Sequence, residues 1–372
     1  MKVLIAPDSF KGSMSAVEVC SIVSTALKDA DPDCETDCIP VADGGEGTAD
    51  SFAFACKAEM KQITVTGPDY RKIKAHFAVM GDTAVIETAQ ACGLPLAGNE
   101  NNPMLATTLG VGELILAALN ESCRKIILGI GGSATNDGGI GCLSMLGFDF
   151  YDKKRQKVTP DALGLSTVEH IDTIGADPRL EECEFTVLCD VENPLYGENG
   201  AAFVYAPQKG ADSQAVTFLD NALRNYERAV LKSMKTDCAN CAGSGAAGGM
   251  GYGFRVFLGA QLKSGAKTVL DICRFDERAE KADAIITGEG KFDSQSLMGK
   301  LPGEIISRAN GKPIAVICGI NTAQTSNESI AVFETNREHL PFEMILPECK
   351  EALYSAVFKD VSKFLKKIAK NA

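Results

Sequence analysis

The sequence has few of the residues on which several common catalytic and metal sites depend. Its only histidines, His76, His170 and His339, lie far apart, so a histidine-based catalytic triad has little support. One Cys-x-x-Cys pair occurs, Cys238–Cys241, and it has neither a second pair nor a nearby histidine, which disfavours a zinc ribbon. The 14 cysteines are scattered through apolar segments, a pattern typical of reduced core thiols.

Long hydrophobic runs are also missing. No stretch approaches the roughly 18–20 apolar residues that a membrane-crossing helix needs. The N-terminal MKVLIAPDSF has only a short apolar run before Pro7, which is too short for a signal peptide and is typical of a first strand. We therefore expect a cytoplasmic protein without a membrane partner.

Positive charge is in deficit. The chain has 37 Lys and Arg against 49 Asp and Glu, a net charge of −12. Such a field disfavours nucleic acid and anionic membranes as partners. An anionic ligand would need metal ions, backbone N–H groups or a few well-placed lysines to overcome this background.

The order of predicted elements indicates an α/β protein with two domains, as 372 residues exceed what one core usually serves. Two strand–loop–helix units open the chain, and the same pattern returns near its end, which predicts a parallel sheet. Ser15 and Glu18 fit a capping box at the start of the first helix, and Pro302 fits the first turn of a helix over 302–310. Short alternating runs after Met60 predict antiparallel strands, and GSGAAGGMGYGF (243–254) predicts a second glycine-rich loop. We expect one α/β domain from residues 1–60 and 281–372, with a second α/β domain inserted at 61–280.

A polar, glycine-rich loop follows the strand predicted at Arg124–Leu128. Its sequence, GIGGSATNDGG (129–139), lacks large apolar side chains apart from one isoleucine. A simple turn explains the glycines but not the polar cluster, whereas glycines that let backbone N–H groups reach an anion explain both. The residues expected around a ligand are Gly131, Gly132, Ser133, Asn136 and Asp137.

Acidic side chains follow four of the predicted strands. Ligands of open α/β sheets bind outside the carboxyl ends of the strands, so together these loops indicate a site. For each acid alone, a turn or helix cap is an equally good account. The loops carry Asp8 and Lys11; Asp43 and Glu46; Asp190 and Asn193; and Glu289, Lys291, Asp293 and Gln295.

Carboxylates, lysines and glycine-lined backbone without histidine are the groups that phosphoryl transfer uses. Carboxylates hold Mg²⁺, lysines and N–H groups bind phosphate oxygens, and one acid accepts the hydroxyl proton. The chain has no Walker GxxxxGK[ST] motif and no protein-kinase signature set, which excludes those kinase classes.

Two other functions stay open on the residues alone. GIGGSA (129–134) matches GxGxxG/A after a strand, and Asp149 follows at the distance of a ribose-binding acid, as in an NAD-dependent oxidoreductase acting on a small hydroxy acid. An oxidoreductase of this kind would give no role to Asn136, Asp137 or the acidic loops. A non-enzymatic small-anion binding protein would not need so many ionisable groups.

Motifs in a fixed order along the chain make the pattern specific. Together they resemble the bacterial glycerate kinase family, in the branch of glycerate 2-kinases that serves glycerate formed from glucarate and glyoxylate. The resemblance covers essentially the whole chain. The motifs are APDSFKGSMSA (6–16), PVADGGEGT (40–48), GIGGSATNDGG (129–139), CDVENPLYGENGAA (189–202), PQKGA (207–211), GAAGGMGYG (245–253) and ITGEGKFDSQSLMGK (286–300).

The resemblance implies ATP-dependent phosphorylation of D-glycerate to 2-phosphoglycerate, with 3-phosphoglycerate as the alternative product. It implies ATP, Mg²⁺ and D-glycerate as small-molecule partners, and gives no oligomeric state. It also implies a Rossmann- or flavodoxin-like domain, a second α/β domain and an active site in the cleft between them. We further expect the domains to close around the substrates and exclude water.

The chain departs from the family pattern at a few positions. Asp69–Tyr70 stand before Arg71, where Leu-Gly is usual. Gly303–Glu304 replace an apolar residue and a glycine, and Lys291 replaces a frequent arginine. These changes affect local loop shape and leave the class of reaction as it is.

Three residues are the candidates for the chemical step. Lys11 is expected to contact phosphate, because a lysine at a helix N-terminus is unfavourable unless an anion is present. Asp8 and Asp190 directly follow predicted buried strands, and each is a candidate for the general base or a Mg²⁺ ligand. The sequence does not say which of the two accepts the proton.

The remaining candidates would bind the substrates or the metal. Asp43 and Glu46 are expected to hold metal or the glycerate hydroxyls, although helix capping explains Glu46 equally well. Arg71 offers a bidentate fork to the glycerate carboxylate, and Glu87, at the end of an apolar strand, is a further candidate for substrate binding. Asn193 completes the substrate set. Nucleotide phosphates are assigned to Glu289, Lys291, Asp293, Gln295 and Lys300, with Asp293 and Asp190 as Mg²⁺ ligands.

Overall fold

The chain folds into two compact units, each with its own sheet. Asp43, one of the candidate site residues, lies outside the described residues. The first unit takes Met1–Asp43, Asp50–Ala58 and Ala266–Ala372, and the second takes Gly44–Ala49 and Glu59–Gly265. The computed structural model describes residues 1–42, 44–98, 101–297, 300–323 and 329–371.

Strands and helices alternate along most of the chain. The strands are β1 (Lys2–Ile5), β2 (Glu35–Cys38), β3 (Glu59–Thr66), β4 (Lys72–Met80), β5 (Thr83–Glu87), β6 (Lys125–Gly129), β7 (Asp149–Tyr151), β8 (His170–Asp172), β9 (Glu184–Leu188), β10 (Gln261–Lys263), β11 (Ala284–Phe292), β12 (Ile314–Asn321) and β13 (Ile330–Glu334). The α-helices are α1 (Ala16–Ala30), α2 (Thr48–Cys56), α3 (Ala89–Cys92), α4 (Leu94–Ala97), α5 (Leu109–Asn120), α6 (Ile140–Met145), α7 (Ala162–Leu165), α8 (Ala201–Tyr205), α9 (Ser213–Met234), α10 (Ala246–Leu258), α11 (Gly265–Ile272), α12 (Phe275–Lys281), α13 (Leu301–Arg308), α14 (Phe342–Ile345), α15 (Cys349–Ala356) and α16 (Ser362–Asn371). Short 3-10 helices span Pro178–Glu182, Pro207–Lys209 and Leu346–Glu348, and a π-helical turn spans Val357–Val361.

The first unit contains a parallel sheet made from both ends of the chain. Its strand order is β13-β12-β11-β1-β2, and every neighbouring pair is parallel. Val3 of β1 stands opposite Ala284 of β11, so the first strand of the chain pairs with one near its end. The continuous apolar burial of β1 is the pattern of a parallel strand covered on both faces.

Helix α1 begins where the sequence predicts. Ser15 is its N-cap and forms a capping box with Glu18, and Val19 and Val23 are buried against the sheet. This satisfies N–H groups of the first turn within the helix itself. In α13, Pro302 occupies the first turn, also as predicted.

The second unit combines parallel and antiparallel pairing. Its six-stranded sheet has the order β10-β9-β6-β5-β4-β3. Strands β5, β6, β9 and β10 are parallel, whereas β4 runs antiparallel to both β3 and β5. The antiparallel strands predicted after Met60 are therefore confirmed. Because β3 and β5 both oppose β4, the carboxyl ends of β3, β5, β6 and β9 share one edge of this sheet.

The second glycine-rich segment, predicted as a loop over 243–254, is largely helical. Helix α10 covers Ala246–Leu258, with left-handed backbone from Ala247 to Gly249 before the regular turns begin. The loop prediction was wrong because these glycines provide close packing. A Cβ on Gly253 would lie 2.3 Å from the carbonyl oxygen of Gly138.

The structure confirms the α/β fold class predicted from the sequence. Each unit has its own apolar core, one around β1, β11 and α1 and the other around β5, β6 and α5. Among the described residues, no helix is both long enough and apolar enough to cross a bilayer.

Candidate active site

Two predicted acidic loops meet at the carboxyl edge of the sheet in the first unit. The backbone N–H of Asp8 donates to the carbonyl oxygen of Gly288 at 2.8 Å, which places the end of β1 beside β11. The Asp8 carboxylate is half-buried and accepts the N–H of Ser9 at 2.6 Å. Glu289, one residue further along β11, stands opposite Cys318 of β12. Asp8 and Glu289 therefore share one sheet edge.

Lys11 lies in a compact turn beside β11. A Cβ on Gly290 would lie 3.6 Å from the backbone nitrogen of Lys11, and the Lys11 side chain is exposed. The helix-dipole argument for Lys11 does not hold, however. Helix α1 begins at Ala16 and is capped by Ser15, and the dipole acts only within the first turn. What supports Lys11 is its place beside the other charged groups of this edge.

A turn after β11 holds a carboxylate between two lysines. Asp293 accepts the N–H groups of Gln295 at 2.9 Å and of Ser296 at 3.3 Å, and Lys291 Nζ lies 3.8 Å from Asp293 Oδ2. Burial works against ionisation, but these N–H groups and the charges of Lys300 and Lys291 lower the pKa of Asp293. An ionised carboxylate with lysines on either side suits a magnesium-bound polyphosphate.

Magnesium commonly takes one or two carboxylates and completes its shell with water and phosphate oxygens. Among the described residues, no group of three or more His, Cys, Asp or Glu side chains forms a ready-made metal centre. Asp293 and Asp190 fit as single carboxylate ligands of this kind, because both are exposed or half-buried and neither is enclosed by the core.

In the second unit, a buried lysine supports the glycine-rich loop after β6. Lys209 is 3% exposed, and its Nζ donates to Ser133 Oγ at 3.0 Å and to the carbonyl oxygen of Thr135 at 2.7 Å. Burial lowers the pKa of Lys209 to about 8, against the raising effects of Cys92 and Asp137. No role for Lys209 was predicted from the sequence, where its place in the PQKGA motif is the one signal that points to it.

Asp137 lies inside this loop and is completely buried. Its carboxylate accepts the N–H and hydroxyl groups of Thr108 and the N–H groups of Gly139 and Gly141. Burial nevertheless raises the pKa of Asp137 against the effect of these bonds. The carboxylate holds the loop to the start of α5. Its contact with a ligand stays a prediction, one that this burial disfavours.

Asn136 is also completely buried, but its amide has no hydrogen-bond partner in the described part of the chain, on either nitrogen or oxygen. An unsatisfied buried polar group costs about 1–3 kcal/mol. A state of the loop that satisfies this amide would therefore be favoured. Gly131 is half-buried and Gly132 exposed, so the backbone at the start of the loop remains accessible.

Glu87 anchors the loop that carries Glu46. The Glu87 carboxylate is 1% exposed and accepts the N–H groups of Gly47 at 3.1 Å and Ala49 at 2.7 Å. Glu46 is exposed at the tip of this loop. The N–H of Gly131 donates to the carbonyl oxygen of Gly44 at 3.4 Å, so the loop lies against the start of the glycine-rich loop. Glu87 thus orders a loop at the carboxyl edge of β5 and β6.

Asp190 and Asn193 follow the neighbouring strand β9. Asp190 is exposed, and its Oδ1 accepts the N–H of Gly265 at 3.0 Å. The Asn193 side chain donates to the carbonyl oxygen of Asn199 and accepts from the Tyr205 hydroxyl, at 2.8 and 2.6 Å. Asn193 therefore shapes its own loop, while Asp190 follows β9, the strand that pairs with β6 and so neighbours the strand that carries the glycine-rich loop.

Arg71 lies in the β3–β4 turn, at the same edge of the sheet. Its guanidinium is exposed and is paired with Asp69, the residue that departs from the family pattern. The pair raises the pKa of Arg71 and lowers that of Asp69. A substrate carboxylate would have to compete with Asp69 for this guanidinium.

A cavity of about 510 Å³ opens beside Lys209 in the second unit. Leu94, Pro95 and Pro207 form apolar parts of its wall. Asn101 lines it as well and donates from Nδ2 to the carbonyl oxygens of Ala134 at 3.1 Å and Lys209 at 2.8 Å. None of the predicted acidic residues in the described part of the chain lines this cavity.

The predicted residues that the structure describes lie in both units, at the carboxyl edge of a sheet or in the turns and loops that follow it. The first unit carries Asp8, Lys11, Glu289, Lys291, Asp293, Gln295 and Lys300. The second unit carries Glu46, Arg71, Glu87, Gly131, Gly132, Ser133, Asn136, Asp137, Asp190 and Asn193.

Comparison with known proteins gives a consistent result over the whole length. Residues 3–366 match the model of the glycerate kinase family. The chain is 42% identical over 324 residues to the glycerate 2-kinase of Escherichia coli K12, covering 86% of this chain and 85% of that protein. It is 40% identical over 372 residues to the glycerate kinase of Bacillus cereus, covering 99% and 97%.

A solved structure shows the same architecture. The crystal structure of a candidate glycerate kinase 2 from Salmonella typhimurium LT2 superposes with a TM-score of 0.87 at 36% sequence identity. The match covers 100% of this chain and 99% of the other.

Proposed function

The chain belongs to the glycerate kinase family and is a phosphotransferase; we propose that it transfers the γ-phosphoryl group of ATP to the 2-hydroxyl of D-glycerate. The observation that carries the proposal is the grouping of motif carboxylates, lysines and glycines at the carboxyl edges of both sheets. The family match sets aside the oxidoreductase and the binding-protein alternatives. The E. coli relative is named a glycerate 2-kinase, which supports 2-phosphoglycerate over 3-phosphoglycerate as product.

We assign the nucleotide phosphates to the first unit. Lys291 and Lys300 flank the ionised Asp293, and Lys11 stands at the same sheet edge near Gly290. These lysines offset the negative charge of the triphosphate within a protein of net charge −12. Asp293 would hold Mg²⁺, which when bound neutralises charge on the phosphate oxygens. Gln295 and Glu289 lie near the same turn and complete the nucleotide set.

We assign glycerate to the second unit. The accessible backbone of Gly131 and Gly132 and the Ser133 hydroxyl would bind its anionic or hydroxyl oxygens. Asp190 follows the adjacent strand β9, is exposed, and would accept the hydroxyl proton as the phosphoryl group is transferred. Asp8 is the alternative base or a second Mg²⁺ ligand. Glu46 and Arg71 would contact glycerate from the two neighbouring loops.

A coupled assay of ADP release tests the proposed reaction. We expect release to depend on D-glycerate and on Mg²⁺, with little ADP formed when either is omitted. ADP release that is insensitive to glycerate would contradict the proposal. Separate samples that contain the protein, D-glycerate and NAD but no coupling enzymes should show no change at the absorbance of a reduced nicotinamide cofactor.

A further inference from the structure

Lys209 is a buried cation to which the proposed reaction assigns no role. It forms no ion pair with any carboxylate in the residues that the structure describes, and its partners are the Ser133 hydroxyl and the carbonyl oxygen of Thr135. A buried ammonium group that lacks a carboxylate partner carries a desolvation cost. An anion bound nearby would offset this cost, because it would interact favourably with the charge.

The chemistry of the two groups sets the direction of the hydrogen bond. A protonated lysine has three donors and no acceptor, so Ser133 Oγ must accept in its 3.0 Å contact with Lys209. The Ser133 hydroxyl then keeps its own proton to donate. Within the described part of the chain, no acceptor receives that proton. Ser133 is 6% exposed and follows the accessible Gly132, so an acceptor from outside the protein can supply the missing partner.

We propose that Lys209 is a positioning residue that fixes the Ser133 hydroxyl as a hydrogen-bond donor to an anionic oxygen of a substrate. That oxygen belongs either to the carboxylate of glycerate or to a phosphate group of ATP. The inference rests on the proposed function, because it assumes that the glycine-rich loop binds a substrate of the phosphoryl transfer.

Deprotonation of Lys209 would reverse this arrangement. A neutral amine has a lone pair that accepts hydrogen bonds well, so the Ser133 proton would turn toward Nζ and away from the substrate. Two titratable groups face Lys209, the Cys92 thiol of α3 and the Asp137 carboxylate of the loop, and both favour the charged amine. Burial outweighs them and brings the pKa of Lys209 to about 8. Substrate binding should therefore weaken as pH rises through about 8.

Steady-state kinetics of K209M, S133A and the double variant test the proposal. We expect K209M and S133A each to raise KM for one substrate about tenfold. S133A removes the hydrogen bond to the anion, and K209M removes the contact that directs the Ser133 hydroxyl toward it. The double variant should resemble the single variants, since both act through the same hydroxyl. A raised KM for glycerate identifies the carboxylate as the acceptor, and a raised KM for ATP identifies a phosphate oxygen.

The pH profile separates this role from a merely structural one. The wild type should lose kcat/KM above about pH 8. K209R, which stays charged, should remove that decline. S133A should also remove the decline in kcat/KM, because its methyl group forms no hydrogen bond that depends on the protonation of Lys209. S133A therefore replaces K209R as the test if K209R does not fold. K232M is the matched control, since Lys232 is exposed and paired with Glu169 in the same unit.

Several results would overturn the inference. One such result is a folded K209M enzyme that has wild-type KM values and still loses kcat/KM above about pH 8 as the wild type does. Effects of K209M and S133A that multiply in the double variant would also overturn the inference, because they would act independently. If the wild type itself shows no glycerate-dependent ADP release, the proposed function fails, and that failure is seen before any variant is compared.

Discussion

Asp137 accepts two hydrogen bonds from Thr108, one from its backbone N–H at 2.9 Å and one from its hydroxyl at 2.7 Å. The Thr108 hydroxyl oxygen in turn accepts the N–H of Cys142 at 2.9 Å. The glycine-rich loop is therefore joined to the starts of α5 and α6 by one buried carboxylate. The loop contains the polar Asp137 because this carboxylate holds the loop in place from within. Ser133 and the first glycines are then the part of the loop that can contact a ligand.

Replacing Asp137 with Asn should destabilise the protein with little effect on substrate affinity. The amide presents its NH₂ group to an environment of donors, which costs about 2–4 kcal/mol. Urea unfolding followed by circular dichroism measures this loss, and KM values are measured on the folded fraction. A stable Asp137→Asn protein with a raised KM would instead place Asp137 in contact with substrate.

The Asp293→Asn variant should raise KM for magnesium-bound ATP about tenfold, because it removes one ionised ligand. Asparagine keeps the acceptor for the N–H groups of the turn, so the loop shape and the melting temperature should stay near wild type. Kinetics at varied Mg²⁺ give the measurement. If the Mg²⁺ dependence of the variant matches wild type, Asp293 does not hold the metal.

Asp69→Asn should improve binding of glycerate. Its loss of charge frees Arg71 from a competing carboxylate, so KM for glycerate should fall about two- to fivefold, the modest size expected for an exposed ion pair. Arg71→Ala should raise the same KM, and KM for ATP should change in neither variant. An Arg71→Ala enzyme with normal KM for glycerate removes Arg71 from the substrate site.

The capping box of α1 should make stability depend on pH in acid. A hydrogen bond from Lys350 and one from the Ser15 backbone lower the pKa of Glu18 from 4.5 to about 2. Because the folded-state pKa is depressed, the contribution is present above pH 4.5 and is lost as pH falls toward 2. Glu18 is partly exposed, so Glu18→Gln should cost only about 1 kcal/mol at neutral pH.

Urea unfolding at a series of pH values checks this, with Glu351→Gln as the control because Glu351 is an exposed acid on α15. The difference between wild type and Glu18→Gln should shrink below pH 4.5, whereas the control should match wild type throughout. A difference that grows in acid would show that the capping box does not act through the ionised carboxylate.

Asp190→Ala should lower kcat by orders of magnitude while the fold survives, because a general base contributes about 10²–10⁴-fold. Asp190 is exposed and lies outside both apolar cores, so its loss should leave the melting temperature nearly unchanged. The same substitution at Asp8 tests the alternative base. Near-normal turnover by Asp190→Ala would transfer the role to Asp8.

The elements that could be predicted from the sequence are those determined by residues close together in the chain. The capping box of Ser15 and Glu18, the first-turn Pro302 and the apolar run of β1 each depend on residues close in sequence. The carboxyl-edge placement of Asp8 and Asp190 also followed from strand order, since parallel strands end at a common edge.

Burial of polar groups by distant partners could not be predicted in this way. Lys209 contacts Ser133, 76 residues earlier in the chain. Apart from its place in the PQKGA motif, nothing near Lys209 in sequence distinguishes it from an exposed turn lysine. The helix at 250–254 was missed because glycines signal loops by propensity. Here they are required where the backbone of Gly253 approaches that of Gly138.

The central claim is that the protein phosphorylates D-glycerate. The most direct measurement is ³¹P NMR of a reaction containing the protein, ATP, Mg²⁺ and D-glycerate. The account predicts a new phosphomonoester signal that coincides with added 2-phosphoglycerate and grows in step with ADP. A spectrum that shows only ATP, ADP and inorganic phosphate would contradict it.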